Sequence, residues 1–327
     1  MERDLECALD RVFLEQEALV RLAESVPTPF YLYDGAGTSR TVEGTAAWVG
    51  LNHCPSDGVA QLLFHAGCGL ICSDVADLKR VEALGFRGRR ILFAPMVPRR
   101  DALELAVALE VTLGIDNPGV VDCLLEWQMF PSHLQLRYNP CGKLSIDGRV
   151  RAKLSRSKLG MRKEDLLQTA KKLKNTPIST WSLGAELGTF LSDVQYYASI
   201  LQLLWELKPE VEQAGHCLVT GCYLGDAMTD CGMDALQEIR DILLRKAEKL
   251  EIPSDFSVEY GLSRPALESH CILVSKVLAM KELERPVVIL DAVRGDLPPV
   301  SKGTDVYVSL AGDISTLGRV FYTIVGQ

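Results

Sequence analysis

Three groups of residues in this chain have types and spacing suited to chemistry. Arg137 lies in the apolar run 134–138, and Glu186 follows the run 180–185. An arginine and a glutamate at the ends of adjacent strands can bind a small charged substrate, with Asp291 as a candidate helper, while Lys158 can join an ion pair between them or face water. They can instead form an ion pair, or each can stand solvated, where a pair contributes only ~0–1 kcal/mol. His53 and Cys54 are neighbours in a turn, which suggests a thiol nucleophile beside its base, although sequence neighbours on a turn generally point apart. Cys217, Cys222 and Cys231, with Asp226 and Asp230, offer thiolates and carboxylates to a metal. Their spacing matches no standard zinc pattern, and strand-end cysteines commonly serve packing, so no metal is expected. His65, His133, His216 and His270 have no companion motif.

Positioning these residues falls to a regular alternation that begins near residue 46. Short apolar segments lie at 47–51, 69–72, 90–94, 110–115, 134–138, 180–185, 216–220 and 256–259. Helical patterns separate them, clearest at 56–66, 74–84, 100–109, 118–128, 162–174, 191–208 and 232–250. Eight strands alternating with helices predict an α/β fold of the (β/α)8 barrel type, with an open doubly wound sheet as the alternative. Upstream, apolar residues from Leu5 to Leu22 form a helical stripe over 3–24, ended by Pro27 and Pro29. The strand FYLY follows. Downstream, CILVSKVLAMK (271–281) reads as a strand leaving the barrel, and 286–327 as strands separated by turns. Residues 142–158 form a long polar, basic loop. The expected division is an N-terminal helix over 1–27, a barrel over 28–270 and a reduced β-segment over 271–327.

Composition narrows the function classes. With 47% hydrophobic and 24% charged residues, the 327-residue chain has globular proportions. A net charge of −8 argues against phosphate-backbone binding as its main role. No apolar run reaches the roughly 18 residues of a membrane span. The charged opening, MERDLECALDRVFLEQEALVRL, lacks the apolar centre of a signal peptide. Ten scattered cysteines without a C-x-x-C are expected to be reduced core thiols, consistent with a cytoplasmic protein.

Several phrases, in order, resemble those of the ornithine and diaminopimelate decarboxylases, the fold-type III pyridoxal-phosphate enzymes. TPFYLYD (28–34) resembles the family's opening strand, and AWVGLNHCP (47–55) its "Y-A-V-K-A-N-P". GCGLICSDVAD (67–77) resembles "G-x-G-F-D-x-A-S-x-x-E", LRYNP (136–140) "L-R-I-N-P", and SKLG (157–160) "S-K-F-G". AELGT (185–189) stands for "F-H-V-G-S", CLVTGCYLG (217–225) for "L-D-I-G-G-G-F-P-G", VEYGL (258–262) for "A-E-P-G-R", and ILDAVRGDL (289–297) for "N-D-G-V-Y-G-S-F". The resemblance covers roughly 28–297. It implies a barrel of the alanine racemase/ornithine decarboxylase type followed by a β-domain.

On this resemblance, the scaffold positions persist while the chemical ones do not. The Schiff-base lysine is matched with Asn52, which cannot form an imine. The aspartate of the second phrase becomes Ile71, the ring-stacking histidine becomes Glu186, and the phosphate-facing arginine becomes Leu262, with Arg264 nearby. The glycine cradle becomes Gly221-Cys222-Tyr223, where side chains obstruct close approach of a phosphate. Glu259 matches the acid that meets the pyridinium nitrogen, and Arg137, Gly221 and Glu259 are vestiges of the binding site. The "C-D-G-x-D" segment that completes a partner's site is missing after Pro286. The resemblance therefore implies a pseudoenzyme without catalytic residues or bound pyridoxal phosphate, acting by protein binding. Antizyme inhibitors of this family sequester antizyme, and other silent paralogues pair with an active decarboxylase; either role would touch polyamine synthesis. The antizyme-binding region corresponds to about 104–130 here. Two alternatives stand: altered small-molecule chemistry at the barrel mouth, and a decarboxylase holding pyridoxal phosphate non-covalently.

Overall fold

The computed structural model describes residues 16–33, 35–42, 46–54, 56–140, 157–178, 180–185, 195–225, 233–262, 271–281, 287–290, 307–311 and 320–324. Two compact units divide the chain: Ser39–Arg264, and a second made from Met1–Thr38 with Pro265–Gln327.

In the first unit eight parallel strands close on themselves. They are β2 (Ala47–Gly50), β3 (Gly69–Cys72), β4 (Ile91–Phe93), β5 (Thr112–Ile115), β6 (His133–Arg137), β7 (Thr180–Gly184), β8 (Val219–Tyr223) and β9 (Ser257–Leu262). Closure runs from β9 back to β2, with Tyr260, Gly261 and Leu262 opposite Ala47, Trp48 and Val49. The open-sheet alternative is thereby excluded. These strands are apolar runs because a parallel strand inside a helical coat is covered on both faces. Val49, Leu70, Ile91, Leu113, Leu136 and Leu183, from six different strands, are all buried.

Two of the described helices start where a short polar side chain accepts their unpaired N–H groups. The Ser56 hydroxyl accepts from the Val59 amide at 3.3 Å before helix Asp57–His65. The Asp74 carboxylate accepts from the Ala76 and Asp77 amides at 2.8 and 3.0 Å before helix Val75–Ala83. Pro118 opens helix Pro118–Trp127, where a missing N–H costs nothing. In helix Gln195–Gly215 the buried positions Tyr197, Ile200, Leu201, Leu204, Leu207 and Val211 recur at the helical period.

The second unit holds an antiparallel sheet ordered β1 (Phe30–Tyr33), β10 (Cys271–Lys281), β13 (Val320–Ile324) and β12 (Tyr307–Ala311), with β11 (Val287–Leu290) also on β10. The first boundary expected from sequence is corrected here. FYLY pairs antiparallel with residues 271–274, not with the barrel. All four of its residues are only partly buried, whereas every parallel strand has buried residues. The segment 28–38 thus belongs with the C-terminal strands, and the barrel starts at Ala47. The N-terminal helix is described over Gln16–Ser25. Glu186, Arg264, Asp291, Asp226, Asp230, Cys231, His270 and the loop 142–156 lie outside the described residues.

Candidate functional site

Cross-strand register identifies one face of the closed sheet, because directly opposed residues point the same way. Trp48 opposes Gly69 and Gly261, and Gly50 opposes Ile71, which opposes Leu92. Gly114 opposes Gln135, then Ser182, Gly221 and Ser257; Arg137 opposes Gly184, then Tyr223 and Glu259. This is the interior face, since Trp48, Leu92 and Tyr223 form one buried cluster with Ile71 packed against it. Glycines make room for it. A Cβ at Gly69 would lie 2.3 Å from the Trp48 ring, and one at Gly184 2.6 Å from Gln135 Oε1.

The interior is apolar on one side and polar on the other. On the polar side, Arg137 Nη1 donates to Asp116 Oδ2 at 3.0 Å, both residues 5% exposed or less. The other Asp116 oxygen accepts the Gly160 amide at 2.7 Å. Gly160 has φ +73°, and a Cβ there would come within 2.8 Å of the Asn139 nitrogen, so only glycine fits. Reciprocal bonds tie the same segment to the strand end: Met161 N to Arg137 O at 2.8 Å, Asn139 N to Met161 O at 2.8 Å, and Asn139 Nδ2 to Leu159 O at 3.1 Å. The SKLG phrase is docked at the barrel mouth by these bonds. Lys158 itself is exposed.

Asp116 was not among the residues picked from sequence. Arg137 was paired there with Glu186, which lies outside the described residues. The signal was available: Asp116 is two positions beyond Gly114, hence on the same face, and is the first polar residue after an apolar strand.

Across the barrel, Glu259 accepts a 2.8 Å hydrogen bond from the Ser257 hydroxyl, and the Trp48 indole is the other donor that favours its charged form. Burial raises its pKa above the usual 4.5, while these two donors oppose the rise. Below pH 4.5 the carboxyl is protonated in folded and unfolded chains alike and that contribution to stability is fully present. As pH climbs from 4.5 through the raised folded value, the contribution is lost. Glu259→Gln keeps an acceptor for the Ser257 hydroxyl and cannot ionise. Its stability relative to the unmodified chain is expected to increase over that window, measured by urea unfolding at a series of pH values. A pH-independent difference would show that Glu259 is hydrated.

The remaining candidates are placed as follows. Asn52 is exposed on a 3-10 turn, Leu51–His53, beyond the end of β2; the inward strand-end position is Gly50. Ile71 packs against the apolar cluster. Gly221 faces Ser257, whose Cβ and carbonyl oxygen would both be 2.9 Å from an added Cβ. Leu262, opposite Val49, lies on the outer face of the wall and is buried. His53 and Cys54 do not act together: burial drives the Cys54 thiol up to about 12, and its sulfur lies 3.8 Å from Gly50 O. A thiol so raised is not a nucleophile near neutrality. Among the described residues no three His, Cys, Asp or Glu side chains gather as a metal site, and no helix is long and apolar enough to cross a membrane.

This architecture has known counterparts. A diaminopimelate decarboxylase of Zymomonas mobilis is 24% identical over 317 residues, covering 87% of this chain and 72% of its own length. The crystal structure of a diaminopimelate decarboxylase from M. jannaschi superposes with TM-score 0.74 at 14% identity, over 93% of this chain and 83% of its own. The lysine decarboxylase of Selenomonas ruminantium gives 0.69 at 15% identity, over 95% and 89%. At such identities the solved structures attest the fold. The family model for the pyridoxal binding domain of pyridoxal-dependent decarboxylases matches residues 51–220, a little over half of the chain. With that match spanning most of a closed eight-stranded barrel, the chain belongs to the pyridoxal-dependent decarboxylase family.

Proposed function

We propose that this chain is a catalytically silent member of its family, acting by binding another protein. One observation carries the reading. The inward position at the end of β2 is Gly50, and none of the eight barrel strands contains a lysine. By strand-end register we place the family's lysine at Gly50 and its following asparagine at Asn52, in place of the match of Asn52 with lysine. Neither residue can form an imine.

The other coenzyme contacts do not fit either. Tyr223 fills the interior where a phosphate cradle needs bare backbone, and Gly221 is closed off by Ser257. Glu259 already accepts a hydrogen bond from Ser257. Pyridoxal phosphate is therefore not accommodated by the described residues, and no catalytic step is assigned to it.

The partner in this proposal is an antizyme-like regulator or an active decarboxylase paralogue, within control of polyamine synthesis. The candidate surface is 104–130, from the end of helix Arg100–Ala108 through helix Pro118–Trp127. Its exposed charges, Glu104, Glu110, Asp122 and Glu126, are acidic, so a basic face is expected on the partner. A second reading, altered chemistry on a small polar molecule, draws on Gln135 Oε1, which is buried without a hydrogen-bond partner.

The test is to add pyridoxal phosphate to the purified full-length chain. No borohydride-reducible adduct is expected, nor carbon dioxide release from diaminopimelate, lysine, arginine or ornithine. An adduct on a barrel lysine, or turnover, would overturn the reading. Affinity capture should retrieve the regulator or a decarboxylase, and charge reversal at Glu110 and Glu126 should abolish it.

A further inference from the structure

We infer that the barrel carries a binding site at the N-terminal end of its strands, for a small cation that donates N–H groups, with Gln135, Ser182, Ser257 and Glu259 as its acceptors. The site rests on the reading that a small polar molecule binds at Gln135, and adds its depth in the barrel and the class of ligand.

Strand stagger sets the depth of each residue. Strands in a closed barrel tilt, so successive partners step along its axis. The line from Gly50, the last residue of β2, runs through Ile71 and Leu92 to Thr112 and His133, the first residues of β5 and β6. Each step onto the next strand therefore descends toward the N-terminal end. The line Arg137, Gly184, Tyr223, Glu259 descends in the same way, so Glu259 lies deep, below Tyr223. The line Gln135, Ser182, Gly221, Ser257 runs beneath it.

Burial along these lines outlines a hollow. At the upper level Tyr223 is wholly covered, Arg137 is 5% exposed and Gly184 is buried. Below them Ser182, Ser257 and Glu259 face inward, yet each is partly exposed. Their outward neighbours Trp181, Leu183 and Tyr260 are buried. In a barrel packed with side chains the inward residues would be covered. The opening lies at the N-terminal end, because the level above is shut.

The hollow presents acceptors. Gln135 is 2% exposed, and its Oε1 has no hydrogen-bond partner. The carboxamide lies over Gly184, next inward along β7 from Ser182. Ser182 Oγ donates to Leu134 O at 3.3 Å and Ser257 Oγ to Glu259 Oε1 at 2.8 Å, so both hydroxyls retain only acceptor capacity. No charge inside opposes a cation. Arg137 is paired with Asp116, burial lowers the pKa of His133 and keeps it neutral near neutral pH, and Arg89 stands exposed before β4, where water and salt screen it. An unmade acceptor in such a place is costly, and a cation beside Glu259 would offset the burial that raises its pKa. A primary ammonium meets both needs.

Isothermal titration calorimetry of the full-length chain near neutral pH tests the site with ethylammonium, tetramethylammonium and ethanol. Ethylammonium should bind saturably. Tetramethylammonium, charged without an N–H, and ethanol, uncharged, should each bind about tenfold more weakly or not at all. Gln135→Met, of similar volume without the acceptor, and Glu259→Gln should each weaken ethylammonium by about tenfold, the scale of one hydrogen bond to a charged group. The comparison of probes on the unmodified chain stands even if a variant does not fold. No saturable ethylammonium binding, equal binding of tetramethylammonium, or unchanged affinity in both variants would each overturn the site. The two proposals fail separately. A borohydride-reducible adduct with pyridoxal phosphate defeats the silent barrel, whereas absence of ethylammonium binding without such an adduct defeats only the hollow.

Discussion

Asp116→Ala is expected to destabilise the chain by about 3–5 kcal/mol, the cost of breaking a buried ion pair by removing one partner. Arg137 and Asp116 are both almost wholly buried, and their contact is 3.0 Å. Without the carboxylate, the guanidinium keeps its charge, because arginine does not deprotonate in proteins. The same substitution takes the acceptor from Gly160 N, which holds the 157–161 segment against the strand end. Two losses therefore fall on one residue. Replacing the pair together, Asp116→Ala with Arg137→Met, removes the buried cation along with its carboxylate and should recover most of the loss, since apolar replacement of buried pairs is often neutral. Urea unfolding at pH 7 measures both variants. A single-variant loss below about 1 kcal/mol would place the pair in the class of solvated surface bridges. Full recovery in the double variant, with the Gly160 bond still absent, would assign the loss to the charge alone.

What could be read from sequence follows from how many residues share a constraint. β3 and β4 are short runs of apolar side chains, mostly buried, so β3, at Gly69–Cys72, coincides with its predicted span and β4, predicted at 90–94, ends within a residue of Ile91–Phe93. Asp74 and Pro118 mark helix starts because capping chemistry is local. FYLY carries the same strand signal as the barrel segments, yet its partners are residues 271–274. A run of four residues says strand without saying which sheet. At the site, the difficulty was register. Asn52 and Gly50 are two residues apart in one phrase, and only the pairing of Gly50 with Ile71 shows which stands inward at the strand end. Asp116 escaped notice because its partner is 21 residues away, on the adjoining strand. Trp48 reads as one apolar residue among several; that it lies over Gly69 depends on strand alignment, which periodicity does not contain.

That alignment makes Gly69→Ala far costlier than a single methyl group suggests. Small-to-large changes in a packed core cost typically about 1–3 kcal/mol, and this one belongs at the upper end. The new Cβ would lie 2.3, 2.4 and 2.7 Å from three ring atoms of Trp48, so the indole must move. Its neighbours oppose that motion: Tyr223 stands edge-on, and Leu92 and Ile71 pack beside it. Displacing the ring would break that packing. Alanine is a good deal less disruptive if the ring is gone. In a Trp48→Ala background the same Gly69→Ala change should be close to neutral, giving a coupling of about 3 kcal/mol between positions 48 and 69, at the top of the range seen for residues in direct contact. Chemical denaturation of the two single variants and the double variant measures it. Additive losses would mean that the indole rests elsewhere in the barrel, and that the small residue at 69 serves the backbone and not the ring above it.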